Sequence, residues 1–157
     1  MNYHDIKKDD MLNGNGIRVV LFVSGCSHHC KGCQNPETWD KNSGIKFDKK
    51  AKRELFEELK KDYITGLTLS GGDPMNENIL DEILQLVKEV KENFSEKNIW
   101  IYTGYTYNQL YSDTPDMGKR REILSYCDVL VDGRFEEDNV DINHPFAGST
   151  NQNVIKL

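Results

Sequence analysis

Apolar residues in this chain fall into two kinds of pattern. The first is a short apolar run. Ile17 to Val23 reads IRVVLFV, rich in β-branched residues and closed by Gly25, and predicts a buried strand. Ile64 to Leu69, Ile99 to Thr103 and Val129 to Val131 are runs of the same kind, and Asn153 to Leu157 is a candidate fifth strand. The second pattern has helical spacing. Ala51, Leu55, Phe56 and Leu59 predict a helix over 48–61, with Asp48 placed to cap it. Ile79, Leu80, Ile83, Leu86, Val87 and Val90 lie on one side of a helix over about 76–93. A third helix is predicted around 119–126.

Strands that alternate with helices predict parallel βαβ units and an α/β fold. Right-handed crossovers curl such units into a barrel or an open doubly wound sheet. In either fold, chemistry gathers at the carboxyl ends of the strands. Two unusual segments follow the first two predicted strands: a cysteine-rich loop, and Ser70-Gly71-Gly72-Asp73-Pro74. They are therefore expected on one rim. The chain has 157 residues, whereas a complete eight-fold barrel typically needs about 250. No linker, repeat or low-complexity tract divides it, so residues 1–157 read as a single domain.

Composition narrows the function. Lys and Arg total 20 against 26 Asp and Glu, a formal charge of −6. A general nucleic-acid binder would show the opposite balance. No apolar run approaches the roughly 20 residues of a membrane span. The opening MNYHDIKKDD lacks the apolar core of a signal peptide. A cytoplasmic protein with no nucleic acid or membrane partner is expected. In that compartment the four cysteines are not read as two disulfides.

Three of the four fall within eight residues, as Cys26-Ser-His-His-Cys30-Lys-Gly-Cys33. Thiolates this close suit an iron–sulfur cluster or zinc. Structural zinc wants four closed ligands. Three cysteines can instead hold three irons of a cube and leave the fourth iron open. Zinc would need His28 or His29, which the tight loop disfavours, and both histidines read as solvated or partner-facing. Cys127, before the fourth predicted strand, reads as a buried structural thiol. Gly71 and Gly72 allow close backbone approach to a ligand, and Asp73 is placed to cap the next helix. Thr103 and Asp132 end strands three and four, where they can meet a ribose, a carboxylate or a cation. Trp39 reads as an anchor for the cysteine loop, and Arg18 as a structural ion-pair partner.

The spacing C-x3-C-x2-C after a first strand, with Gly-Gly-Asp-Pro after the second, resembles the radical S-adenosylmethionine superfamily. The stretches Gly16 to Cys26 and Gly32 to Trp39 are more specific. With Leu69 to Pro74, Tyr102 to Tyr105, Asp128 to Phe135 and Gly148 to Gln152, they resemble the activating proteins of anaerobic ribonucleoside-triphosphate reductase over nearly the whole chain. The resemblance implies a partial, open β/α barrel of mostly parallel strands. It implies one 4Fe-4S cluster on Cys26, Cys30 and Cys33 with an open iron, and S-adenosylmethionine bound there and cleaved to methionine and a 5′-deoxyadenosyl radical. That radical would form a glycyl radical on the reductase, with a flavodoxin-type protein as a plausible electron donor. Gly32, Gln34, Ser70, Gly71, Gly72, Asp73, Thr103 and Asp132 make up the candidate cofactor-binding set. Alternatives are an activase of a formate-lyase-type enzyme, a radical enzyme acting on a free metabolite, an electron-transfer iron–sulfur protein, and a zinc module.

Overall fold

The four apolar runs become neighbouring strands. In the computed structural model, which describes residues 1–157, they are β2 (Arg18–Val23), β4 (Gly66–Gly71), β5 (Asn98–Tyr102) and β6 (Val129–Asp132). They pair in parallel and in chain order. Between them lie α1 (Lys49–Leu59), α2 (Leu80–Asn93), the short α3 (Tyr107–Leu110) and α4 (Gly118–Leu124). With strand order never reversing, right-handed crossovers put the helices on one face. Alternate residues of each strand point there. Val19, Leu21 and Val23, Leu67 and Leu69, Ile99 and Ile101, and Leu130 join the helix side chains in a core of 26 buried residues.

Antiparallel strands flank this parallel centre. β1 (Asn2–Asp10) pairs with β2, the two-residue β3 (Ile45–Lys46) pairs with β1, and β7 (Asn153–Lys156) pairs with β6. The sheet runs β3-β1-β2-β4-β5-β6-β7 and is not closed. The α/β expectation holds, and the fold is an open mixed sheet. The N-terminal strand has no counterpart in the apolar pattern. Register shifts interrupt its pairing between Tyr3 and Asp5 and between Lys7 and Asp10. Its buried apolar residues, Tyr3 and Ile6, are three apart instead of two, so period-two alternation is erased.

Helix ends follow local chemistry. The Asp48 carboxylate accepts from the Lys50 and Ala51 N–H groups at 2.9 Å each, the predicted N-cap. α2 begins four residues later than predicted. Two side-chain turns come first, with Met75 N–H donating to Asp73 Oδ1 and Asn78 N–H donating to Asn76 Oδ1. Asp73 is therefore not the cap of α2.

Arg18 is fully buried without a carboxylate partner. It donates to Thr68 Oγ1, the Leu67 carbonyl and Asn98 Oδ1, and lies 5.3 Å from the Trp100 ring centroid. The expected ion pair is replaced by neutral acceptors and an aromatic face. Burial pushes its pKa down to about 10.

Asp10 closes β1. Burial alone would raise its pKa, but donors from Lys7, Asn13 and Leu12 outweigh that and hold it below the ordinary carboxylate value. A depressed folded-state pKa contributes stability above the unfolded value, near 3.9, and that contribution is lost as pH falls through the folded value. Asp10→Asn is therefore expected to lower the urea midpoint at pH 7 and to narrow the gap from wild type on acidification. Equal loss at pH 7 and pH 3 would contradict this.

Candidate functional site

Because β2, β4, β5 and β6 run parallel, their carboxyl ends share one rim. The loops leaving them line a single cleft with about 830 Å³ of empty space, part of it open to solvent. β2 contributes Cys26, His28, Cys30, Cys33 and Gln34; β4 contributes Ser70 to Asp73; β5 contributes Tyr102, Thr103 and Gly104; β6 contributes Gly133, Arg134 and Phe135. The two segments expected on one rim are there together.

The cysteine loop is folded back on itself. Gly25 and Cys26 N–H donate to the Thr38 and Trp39 carbonyls at 2.7 and 3.0 Å. Trp39 stacks on His29, with centroids 4.6 Å apart and planes 20° apart, and so anchors the loop as predicted. Its buried indole N–H has no partner in the protein.

The β2 and β4 turns are in backbone contact. Gly72 N–H donates to the Val23 carbonyl and Asp73 N–H to the Gly25 carbonyl, both at 2.8 Å. A Cβ on Gly72 would lie 2.5 Å from the Gly25 carbonyl oxygen. Close approach is required at this glycine, and what it approaches is the backbone of the neighbouring turn, where the sequence suggests a ligand.

Asp73 is the hub of the cleft floor, 2% exposed. Its Oδ2 accepts from His28 Nε2 at 2.7 Å, Thr103 Oγ1 at 3.0 Å and Gly104 N–H at 3.2 Å, and its Oδ1 accepts from Met75 N–H at 2.8 Å. Arg134 Nε donates to His28 Nδ1 at 3.1 Å. His28 is thus not a solvated loop residue; its side chain is 5% exposed. His28 and Arg134 were missed as site residues. The available signal was position: one sits between two rim cysteines, and the other follows β6 directly.

Two of the candidate residues are not brought to the cleft. Asp132 points to the helix face because it shares the parity of Leu130. Its carboxylate accepts from Tyr107 N–H at 2.7 Å and from Asn153 N–H and Nδ2 at 3.1 and 2.9 Å, fixing the start of α3 to β7. Gly32 lies in the turn between Cys30 and Cys33 with φ 72°, and a Cβ there would meet Glu137 at 3.0 Å. Cys127 is buried on the helix side, where Sγ donates to the Ile123 carbonyl at 3.4 Å and burial pushes its pKa up.

The donor set fits a cluster with an open iron. Cys26, Cys30 and Cys33 all face the cleft. Burial raises the Cys26 and Cys30 thiols, opposed by N–H groups of His28 and His29 for Cys26 and of Phe135 for Cys30. Asn35 N–H donates to Cys33 Sγ at 3.4 Å. Such donors stabilise thiolate sulfurs. His28 has both ring nitrogens engaged and Cys127 lies behind the sheet, so neither supplies a fourth ligand. No three Cys, His, Asp or Glu side chains converge tightly enough for a single metal ion.

Comparison with known proteins points to an iron–sulfur cluster as well. A family described as a 4Fe-4S single cluster domain matches residues 12–155. The chain is 42% identical over 159 aligned residues to the anaerobic ribonucleoside-triphosphate reductase-activating protein of Pasteurella multocida, covering 100% of this chain and 98% of the relative. The protein of that name from Enterobacteria phage T4 is 44% identical, covering 98% and 93%. The one from Escherichia coli (strain K12) is 38% identical, covering 100% and 99%. A three-cysteine rim loop, a Gly-Gly-Asp-Pro turn beside it, and full-length similarity at this level place the chain in the family of anaerobic ribonucleoside-triphosphate reductase-activating proteins.

Proposed function

We propose that this chain activates an anaerobic ribonucleoside-triphosphate reductase by generating a glycyl radical on it, using one 4Fe-4S cluster on Cys26, Cys30 and Cys33 and consuming S-adenosylmethionine. The observation that carries this reading is the ligand count: three thiols on one cleft, with His28 tied to Asp73 and Arg134, His29 stacked on Trp39 and Cys127 behind the sheet. An electron-transfer protein normally surrounds its cluster with four ligands. When bound, the cluster supplies the electron that splits S-adenosylmethionine into methionine and a 5′-deoxyadenosyl radical. The chain's own residues shape and polarise the cleft. Ser70, Gly71 and Gly72 form the wall beside the cysteines. Asp73 and Thr103 brace its floor, and Arg134 gives it a positive side. No helix is long and apolar enough to cross a membrane.

The decisive experiment is anaerobic: load iron and sulfide, reduce, add S-adenosylmethionine, and quantify 5′-deoxyadenosine and the glycyl radical of the reductase by electron paramagnetic resonance. Cleavage without a radical on the reductase would shift the reading to another glycyl-radical partner. Absence of cleavage by an iron-loaded protein would leave an electron-transfer role.

A protein substrate needs a route to the cleft. Beside it runs a groove whose lining includes Met11, Leu12, Phe22, Tyr102, Ile142 and Phe146, continuous with the cleft through Asn13, Gln34, Asn35, Tyr102 and Gly148. Met11, Leu12 and Ile142 are 66%, 75% and 94% exposed, an apolar surface of the kind that marks a protein contact. The glycine-bearing segment of the reductase is placed along it. Leu12→Asp and Ile142→Asp are expected to lower glycyl-radical yield about tenfold or more. Release of 5′-deoxyadenosine without the reductase should fall far less. Parallel loss of both signals would refute the groove.

A further inference from the structure

An exposed arginine is ordinarily a mobile side chain that loses rotamer freedom when it is held. Arg134 is exposed yet held, because its Nε donates to His28 Nδ1. The same ring uses Nε2 on Asp73, so one tautomer serves both bonds: Nε2 carries the proton and Nδ1 accepts. The ring is itself immobilised. The edge of Tyr105 meets it at a centroid distance of 4.8 Å and 77°. A Cβ on Gly104 would lie 2.3 Å from its Cδ2, so only glycine fits beneath. Arg120 braces the back, donating to the Met75 carbonyl and Tyr105 hydroxyl. Neither terminal nitrogen of Arg134 bonds to the protein, so its donors and charge remain available to the cleft.

We infer that His28 is a positioning residue that holds the Arg134 charge in the cleft that Cys26, Cys30 and Cys33 line and so raises the reduction potential of the cluster carried there. The inference rests on the cluster reading above. Its physical basis is that reduction adds negative charge, which a cation held in place in the same cleft favours. Arg134, His28 and Cys30 line the same cleft, and the bond to His28 fixes where the guanidinium sits in it. Nearness through a rigid imidazole also means that the charge is in place before any substrate arrives.

The two ring nitrogens can be tested apart. Glutamine at 28 can set an N–H near the position of Nε2 but offers Arg134 no acceptor. Asparagine sets an acceptor near the position of Nδ1 but leaves Asp73 without its donor. Wild-type protein, His28→Gln, His28→Asn, Arg134→Gln and the His28→Gln/Arg134→Gln double variant are loaded anaerobically, and the potential of each is read by redox titration followed by electron paramagnetic resonance. His28→Gln and Arg134→Gln are expected to shift to more negative potential by similar amounts. His28→Asn should stay nearer wild type, and the double variant should match Arg134→Gln, since coupled residues do not add. Additive shifts, or wild-type potential in Arg134→Gln, would overturn the inference. If His28→Gln does not load, Arg134→Gln decides alone, because its exposed side chain can be replaced without disturbing the core. Failure of wild type to take up iron would instead sink the cluster reading.

Discussion

Cys26→Ser, Cys30→Ser and Cys33→Ser should each lose the iron–sulfur absorbance and at least ~100-fold of 5′-deoxyadenosine formation, while Cys127→Ala keeps both. Replacing even an outer-shell partner of a metal ligand typically costs 10–100-fold, and a ligand itself costs more. Serine preserves volume but offers a hard, protonated oxygen where iron wants a soft thiolate. None of the three rim cysteines is fully buried, so folding should survive in all three variants. Cys127 is a separate case. It packs behind the sheet, bonded to Ile123, and its loss should cost roughly 1 kcal/mol, as for deleting one buried heavy atom. The measurement is iron content, visible spectrum and product yield for four variants prepared side by side. A rim variant with wild-type iron and cleavage would remove that residue from the ligand set. Loss of iron from Cys127→Ala would mean that the three-ligand count is wrong.

The contrast between these cysteines was legible in the sequence, because it depends on position relative to strands. Apart from Arg18, Ile17 to Val23 is apolar on both faces, as suits a central strand, and its end set the rim. Val87 and Val90, or Leu55 and Leu59, announce a helix by spacing alone. What stayed hidden depends on geometry that spacing does not carry. β1 is bulged, so Tyr3 and Ile6 fall out of alternation. Asp132 sits at a rim position, yet one residue of parity sends its carboxylate to α3 and β7 instead of the cleft. Arg18 sits in a strand and looked like half of an ion pair, but its partners, Thr68, Leu67 and Asn98, come from two other strands. His28 and Arg134 are 106 positions apart and meet only because β2 and β6 end on the same side. Their long separation gives no local pattern, so only the folded rim reveals the pair.

Asp73 is where that rim is most exposed to a single substitution. Four donors from three segments converge on its two buried oxygens: an imidazole, a hydroxyl and two backbone N–H groups. Asp73→Ala leaves all four without an acceptor in a site that water scarcely reaches. Removing one partner of a buried charged network typically costs about 3–5 kcal/mol. Asp73→Asn should cost less. Its amide will turn to keep oxygen toward His28, Thr103 and Gly104, which leaves only Met75 N–H facing an NH2 group, a penalty of about 1–3 kcal/mol. The urea midpoints should therefore fall in the order wild type, Asp73→Asn, Asp73→Ala. Product formation should follow the same order, with a larger drop for alanine than instability alone explains, because His28 loses its anchor and the cysteine loop loses its tie to β5. The backbone bonds from Gly72 and Asp73 to Val23 and Gly25 do not involve the side chain. They should keep the β2 and β4 turns together, so the protein should still take up iron. An alanine variant as stable as wild type would show that water replaces the carboxylate without cost, and the floor of the cleft would then be wetter than its burial indicates.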